Sequence, residues 1–157
     1  SFLKHYFFDD FQNKNLYDKH IELIISPKCN LGCKYCYVHK NRKKIFDEKS
    51  FTCEDGMIEN LKHILRWMEI NKFTCPIEIF SGELLAQEVG FRALETIYEH
   101  QKNLPEEYRT PSITIPTNFT FICSEEATKR VDEIREKFKS LNIYFGLSAS
   151  FDGKYME

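Results

Sequence analysis

The sequence has no apolar run near the roughly 20 residues that a helix needs to cross a bilayer. Residues 1–20 are aromatic and charged, without the apolar stretch of a signal peptide. There is no internal repeat and no low-complexity segment. Nor is there an excess of charge: 22 Lys and Arg against 24 Asp and Glu give a net charge of −2, with a pI near 6.2. The one basic run, Lys40, Arg42, Lys43 and Lys44, is short and reads as a solvated loop. The electrostatic footprint of a nucleic-acid binder is therefore missing. These absences set the expectation of a cytoplasmic protein that engages neither membrane nor nucleic acid.

What is present is an ordinary foldable mix. The 157 residues are 42% hydrophobic and 29% charged, enough for one domain with a real core. Such a chain needs no disulfide scaffold. Six cysteines in a cytoplasmic setting point instead to metal or redox chemistry.

The hydrophobic period switches back and forth along the chain. His20–Ser26 reads as a strand that ends at Pro27, and a polar loop follows from Lys28 to about Ser50. Thr52 is the expected N-cap of a helix with Glu54 and Asp55 in its first turn and an apolar stripe of Met57, Leu61, Ile64, Leu65 and Met68. Ile77–Phe80 is a second strand. A second helix covers about Gln87–Lys102, with Phe91, Leu94 and Tyr98 on one face. Ser112–Ile115, between two prolines, is a third strand. Ser124 caps a third helix with a seam of Ala127, Val131, Ile134, Phe138 and Leu141. Ile143–Ala149 is a fourth strand, and Asp152-Gly153 a turn. This β-α-β-α-β-α-β order predicts an α/β fold with a parallel sheet and right-handed crossovers. Ligands bind such sheets at the carboxyl ends of the strands.

The loop after the first strand carries Cys29-Asn30-Leu31-Gly32-Cys33-Lys34-Tyr35-Cys36. Three thiols within eight residues suit a cubane iron–sulfur cluster, which normally takes four cysteines. Three would leave one iron open, the mark of a catalytic metal site. Two other readings remain: a closed zinc site of Cys29, Cys33, Cys36 and His39, and clustered thiols with no metal. Cys53, Cys75 and Cys123 are scattered and read as ordinary small hydrophobes. His5, His20, His63 and His100 have no ligand spacing.

The cysteine spacing, with Tyr35 just before the last thiol, resembles the radical S-adenosylmethionine (radical SAM) family. CNLGCKYCYV is similar to its peptide- and protein-modifying subgroup, the sulfatase maturases and other SPASM-type maturases. The resemblance implies a [4Fe–4S] cluster on Cys29, Cys33 and Cys36 and S-adenosyl-L-methionine on the open iron. It further implies a 5′-deoxyadenosyl radical that abstracts hydrogen, a peptide or protein substrate and a low-potential electron donor. Ser81, Gly82 and Glu83, after the second strand, stand where the family has Gly-Gly-Glu to hold the methionyl amino group; Leu84 replaces a frequent proline. Thr117-Asn118-Phe119, after the third, stands where the subgroup often has Thr-Asn-Gly. A phenylalanine would be strained there if the turn needs positive φ. Ser150-Phe151-Asp152-Gly153 matches a subgroup pattern, and Ser148 or Ser150 would bond the ribose or carboxylate of the cofactor.

The family's core is a partial TIM-type barrel with more strand–helix units than the four read here. The expected organisation is an N-terminal extension over 1–19 and, over 20–157, the truncated N-terminal (β/α)4 portion of a radical SAM core. A C-terminal segment or a partner chain would complete the barrel. The departures at Ser81 and Phe119 keep a non-catalytic module open beside the enzyme.

Overall fold

The computed structural model describes residues 20–36, 38 and 53–149. The extension over 1–19, most of the expected loop up to Ser50, and the Asp152-Gly153 turn lie outside the described residues. Among the described residues four strands alternate with three helices: β1 (Ile21–Ile24), α1 (Glu54–Ile70), β2 (Ile77–Phe80), α2 (Glu88–Lys102), β3 (Ser112–Thr117), α3 (Glu125–Ser140) and β4 (Tyr144–Ala149). Short 3₁₀ turns at Leu84–Ala86, Glu106–Tyr108 and Thr120–Cys123 fill the connections.

The strands form one parallel sheet in the order β1-β2-β3-β4. Strict chain order with right-handed crossovers puts every helix on the same face. Burial follows that rule. Leu23, Ile77, Ile79, Ile113 and Ile115 are no more than 5% exposed. On the opposite face Glu22, Ile24 and Tyr144 are exposed, and Glu78, Phe80, Thr114 and Pro116 are half-buried. The fold is α/β, as the sequence predicts. The sheet is not closed into a barrel, and it suits a partial β/α unit.

The three ladders differ in length. β1 pairs with β2 over four residues and β3 with β4 over six. β2 pairs with β3 over two only, Ile77↔Ile113 and Glu78↔Thr114. Beyond those pairs the middle strands part toward their carboxyl ends.

Some elements differ from the sequence expectation. The α1 cap is Cys53, whose sulfur accepts from the Gly56 N–H at 3.4 Å; Thr52 lies outside the described residues. Ile64 is 39% exposed, and Ile58 takes its place among the buried residues of α1. β3 runs through Pro116 to Thr117 rather than stopping at Ile115. The ladder to β2 has already ended there, so the missing proline N–H leaves no gap on that side.

Among the described residues the sheet is covered on one face, and this makes a simple prediction. Ile79→Ala, at 0% exposure on the helix side, should cost about 2–5 kcal/mol. Ile24→Ala, at 52% exposure on the open face, should stay within about 0.5 kcal/mol of the parent. Urea denaturation of both variants measures the contrast.

Candidate metal centre at the carboxyl ends of the strands

The cysteine loop leaves β1 and is strapped at once to the end of β2. The Ser26 carbonyl accepts from the Gly82 N–H at 2.9 Å and from the Ser81 hydroxyl at 2.5 Å. The Lys28 carbonyl accepts from the Glu83 N–H at 2.9 Å and from Gln87 Nε2 at 2.7 Å. The two backbones pass so closely that a Cβ on Gly82 would overlap the Lys28 carbonyl and stand 2.6 Å from the Pro27 oxygen. Only glycine fits residue 82.

Glu83 fills the gap where β2 and β3 part. It is fully buried. Its Oε1 accepts from the Thr117 hydroxyl at 2.8 Å and the Leu85 N–H at 3.3 Å; its Oε2 accepts from the Asn118 N–H at 2.6 Å. A buried carboxylate needs such donors. The side chains of Ser81 and Glu83 are thus committed to the scaffold. What this segment offers a ligand is its backbone.

Asn118, half-buried at the end of β3, reaches the cysteine loop. Its Nδ2 donates to Asn30 Oδ1 at 3.0 Å and stands 3.9 Å from Cys29 Sγ. Its Oδ1 accepts from the Thr120 N–H at 3.0 Å. Phe119 holds φ 62° and ψ 9°. The left-handed turn is kept, and a phenylalanine occupies it. Its ring packs 5.4 Å from that of Phe121, contact that offsets part of a backbone cost of about 1–2 kcal/mol.

None of the three loop cysteines is in a disulfide. Burial of the sulfur pushes the Cys29 thiol up; the Leu31 N–H at 3.4 Å pulls it down, while Glu83 and then the thiols of Cys33 and Cys36 push it up further. Three thiolates beside a buried carboxylate would need a cationic group to stay ionised together. Among the described residues the three sulfurs are not gathered within 4.8 Å of one another. Thiolates on one tetrahedral zinc would stand about 3.8 Å apart, given Zn–S bonds of about 2.3 Å. As placed, the three sulfurs are spread wider than one shared tetrahedral ion would hold them. His39, the fourth zinc ligand considered, lies outside the described residues.

The remaining predicted residues are placed less tightly. Tyr35 is 49% exposed. Ser148 is exposed near the end of β4 and pairs with Pro116. Ser150 and Asp152 lie outside the described residues. Cys75 is buried, in line with its plain reading, whereas Cys53 and Cys123 are exposed. His20, which has no ligand spacing in the sequence, stands 3.3 Å from Glu22 and 3.8 Å from Glu78 at the opposite end of the strands. The sequence reading missed Asn30, Thr117, Thr120 and Gln87. Asn30 was visible as a polar residue between two cysteines; Gln87 carried no local signal.

Two predictions follow the geometry. Gly82→Ala must push backbone against backbone, so it should cost at least about 1–3 kcal/mol and lower iron uptake, read by denaturation and by iron assay. Burial pushes the Cys75 thiol up to about 11. At pH 8 it should stay unmodified in the folded chain while Cys53 and Cys123 react with iodoacetamide, as followed by mass spectrometry.

Comparison with known proteins gives two relatives. The chain is 25% identical over 128 residues to the radical SAM cyclopropyl synthase TigE of Paramaledivibacter caminithermalis, covering 76% of this chain and 25% of that one. It is 28% identical over 132 residues to an uncharacterized protein of Methanocaldococcus jannaschii, covering 83% of this chain and 38% of the relative. The chain thus spans well under half the length of the curated relatives it matches. No family model and no solved structure matches. The α/β chain with its cysteine loop is similar, at that distance, to a radical SAM enzyme.

Proposed function

We propose that this chain is part of a radical SAM enzyme, with Cys29, Cys33 and Cys36 holding a [4Fe–4S] cluster. The observation that carries the reading is the junction of three segments. The cysteine loop, the Ser81-Gly82-Glu83 segment and Asn118 meet at the carboxyl ends of consecutive parallel strands. This is where a sheet of this type binds its ligands. A zinc knuckle requires no such junction. The similarity to TigE supports the same reading.

With the cluster bound, the group supplies one electron to split S-adenosyl-L-methionine into methionine and a 5′-deoxyadenosyl radical for hydrogen abstraction. The chain's own residues bind and orient. Cys29, Cys33 and Cys36 would each hold one iron, and the iron left without a thiolate would be available to the cofactor. The backbone of Ser81 and Gly82 offers acceptors for the methionyl ammonium, since the Glu83 carboxylate is turned inward. Ser148 and Ser150 would meet the ribose or the carboxylate.

The substrate is proposed to be a peptide or protein, on the likeness of the cysteine loop and of Ser150-Phe151-Asp152-Gly153 to the SPASM-type maturases. A low-potential donor would reduce the cluster. The open face of the sheet would be covered by further chain or by a partner, because parallel sheets are ordinarily covered on both faces.

Anaerobic reconstitution with iron and sulfide should give a brown protein with about four irons. Dithionite and S-adenosyl-L-methionine should then yield 5′-deoxyadenosine, measured by chromatography. A colourless protein that binds zinc alone would sink the reading. A cluster without deoxyadenosine would leave a non-catalytic binding module. Cys33→Ala should abolish iron binding, whereas Cys123→Ala should not.

A further inference from the structure

The amide of Asn118 sits in a closed ring of side-chain hydrogen bonds. Asn118 Nδ2 donates to Asn30 Oδ1 at 3.0 Å, Asn30 Nδ2 to Thr120 Oγ1 at 2.7 Å, and Thr120 Oγ1 to Asn118 Oδ1 at 2.7 Å. The donors all run the same way round. A fourth bond fixes that direction: the Thr120 backbone N–H donates to Asn118 Oδ1 at 3.0 Å. A backbone N–H can only donate, so the amide oxygen must face it. Flipping the amide would set N–H against N–H. The Asn118 nitrogen is thereby aimed at the cysteine loop. One of its protons goes to Asn30; the other faces Cys29 Sγ, with 3.9 Å between nitrogen and sulfur.

We infer that Asn118 is a positioning residue for Cys29, whose amide N–H holds the sulfur ligand and raises the reduction potential of a cluster bound there. The inference rests on the cluster reading proposed above. An N–H directed at a ligating sulfur draws charge from it and favours the more negative, reduced cluster. The Leu31 N–H, 3.4 Å from the same sulfur, gives a constant backbone contribution. Asn118 supplies the part that a side chain can change. Its scaffold bond does not depend on the side chain, because the backbone N–H makes the contact to Glu83. Substitution at 118 therefore leaves the pin between the strands in place.

The test is an EPR-monitored redox titration of the anaerobically reconstituted full chain, without S-adenosyl-L-methionine. Wild type is compared with Asn118→Leu and Asn118→Asp. Leucine removes the whole amide. Aspartate keeps the oxygen that accepts from Thr120 and replaces only the donor, so it guards against a folding defect in the leucine variant. At a fixed poise the reduced-to-oxidised ratio should fall about threefold in Asn118→Leu, about 28 mV at 59 mV per decade for a one-electron couple. It should fall further in Asn118→Asp, where a carboxylate faces the sulfur. Lower iron content with an unchanged ratio per cluster would make the residue purely structural and overturn the inference. Unchanged iron and an unchanged ratio in both variants would overturn it as well. A wild-type chain that takes up no iron defeats the cluster reading itself, and the inference with it, a result distinct from the other two.

Discussion

The Lys28 carbonyl accepts two hydrogen bonds, from the Glu83 N–H and from Gln87 Nε2, and it is within reach only because residue 82 has no side chain. That close pass fixes the stem of the cysteine loop before the first thiol. Cys29 is the next residue. Its direction is therefore set by backbone, not by a side chain free to turn. Ser26 repeats the device one step earlier, taking the Gly82 N–H and the Ser81 hydroxyl. A metal site benefits from such a foundation, because ligands held by a rigid frame need less ordering when the metal arrives.

The second constraint is the parting of β2 and β3. A two-residue ladder leaves backbone groups beyond it without strand partners. Glu83 answers this with one carboxylate that bonds the Asn118 N–H, the Thr117 hydroxyl and the Leu85 N–H. The residue belongs to a motif whose resemblance implies cofactor binding, yet its side chain works as a cross-strand pin. Both descriptions can hold at once: the pin places the backbone, and the backbone meets the ligand. The same opening lets the Asn30–Asn118–Thr120 ring form between the loop and β3.

Much of this architecture could be read from residue order. The period changes at Ile77, Ser112 and Ile143 marked the strands, and the apolar seams of α2 and α3 marked the helices, because burial on one face leaves a periodic mark. The location of the site followed from the rule about strand ends. Other features left no such mark. The run of β3 through Pro116 depends on where a neighbouring ladder stops. The exposure of Ile64 depends on which neighbour α1 meets. The inward turn of Glu83 depends on the gap between strands that sequence spacing does not encode. Phe119 is intermediate: it stands at an expected glycine position, and its φ of 62° keeps the left-handed turn that a glycine would favour.

Each strand pairs with the next in the chain, so the sheet can grow in the order of synthesis. The cysteine loop cannot be finished in that order. Cys29 leaves the ribosome long before Asn118, its partner 89 residues later. At about 5–20 residues per second the interval is roughly 4–18 s. The Gly82 strap becomes available part-way through that interval, and the Asn118 ring only at its end. Iron and sulfur delivered early would meet an untethered loop, and delivery late would meet a built site. For the proposed cluster, the order of assembly would favour insertion after the third strand has been made.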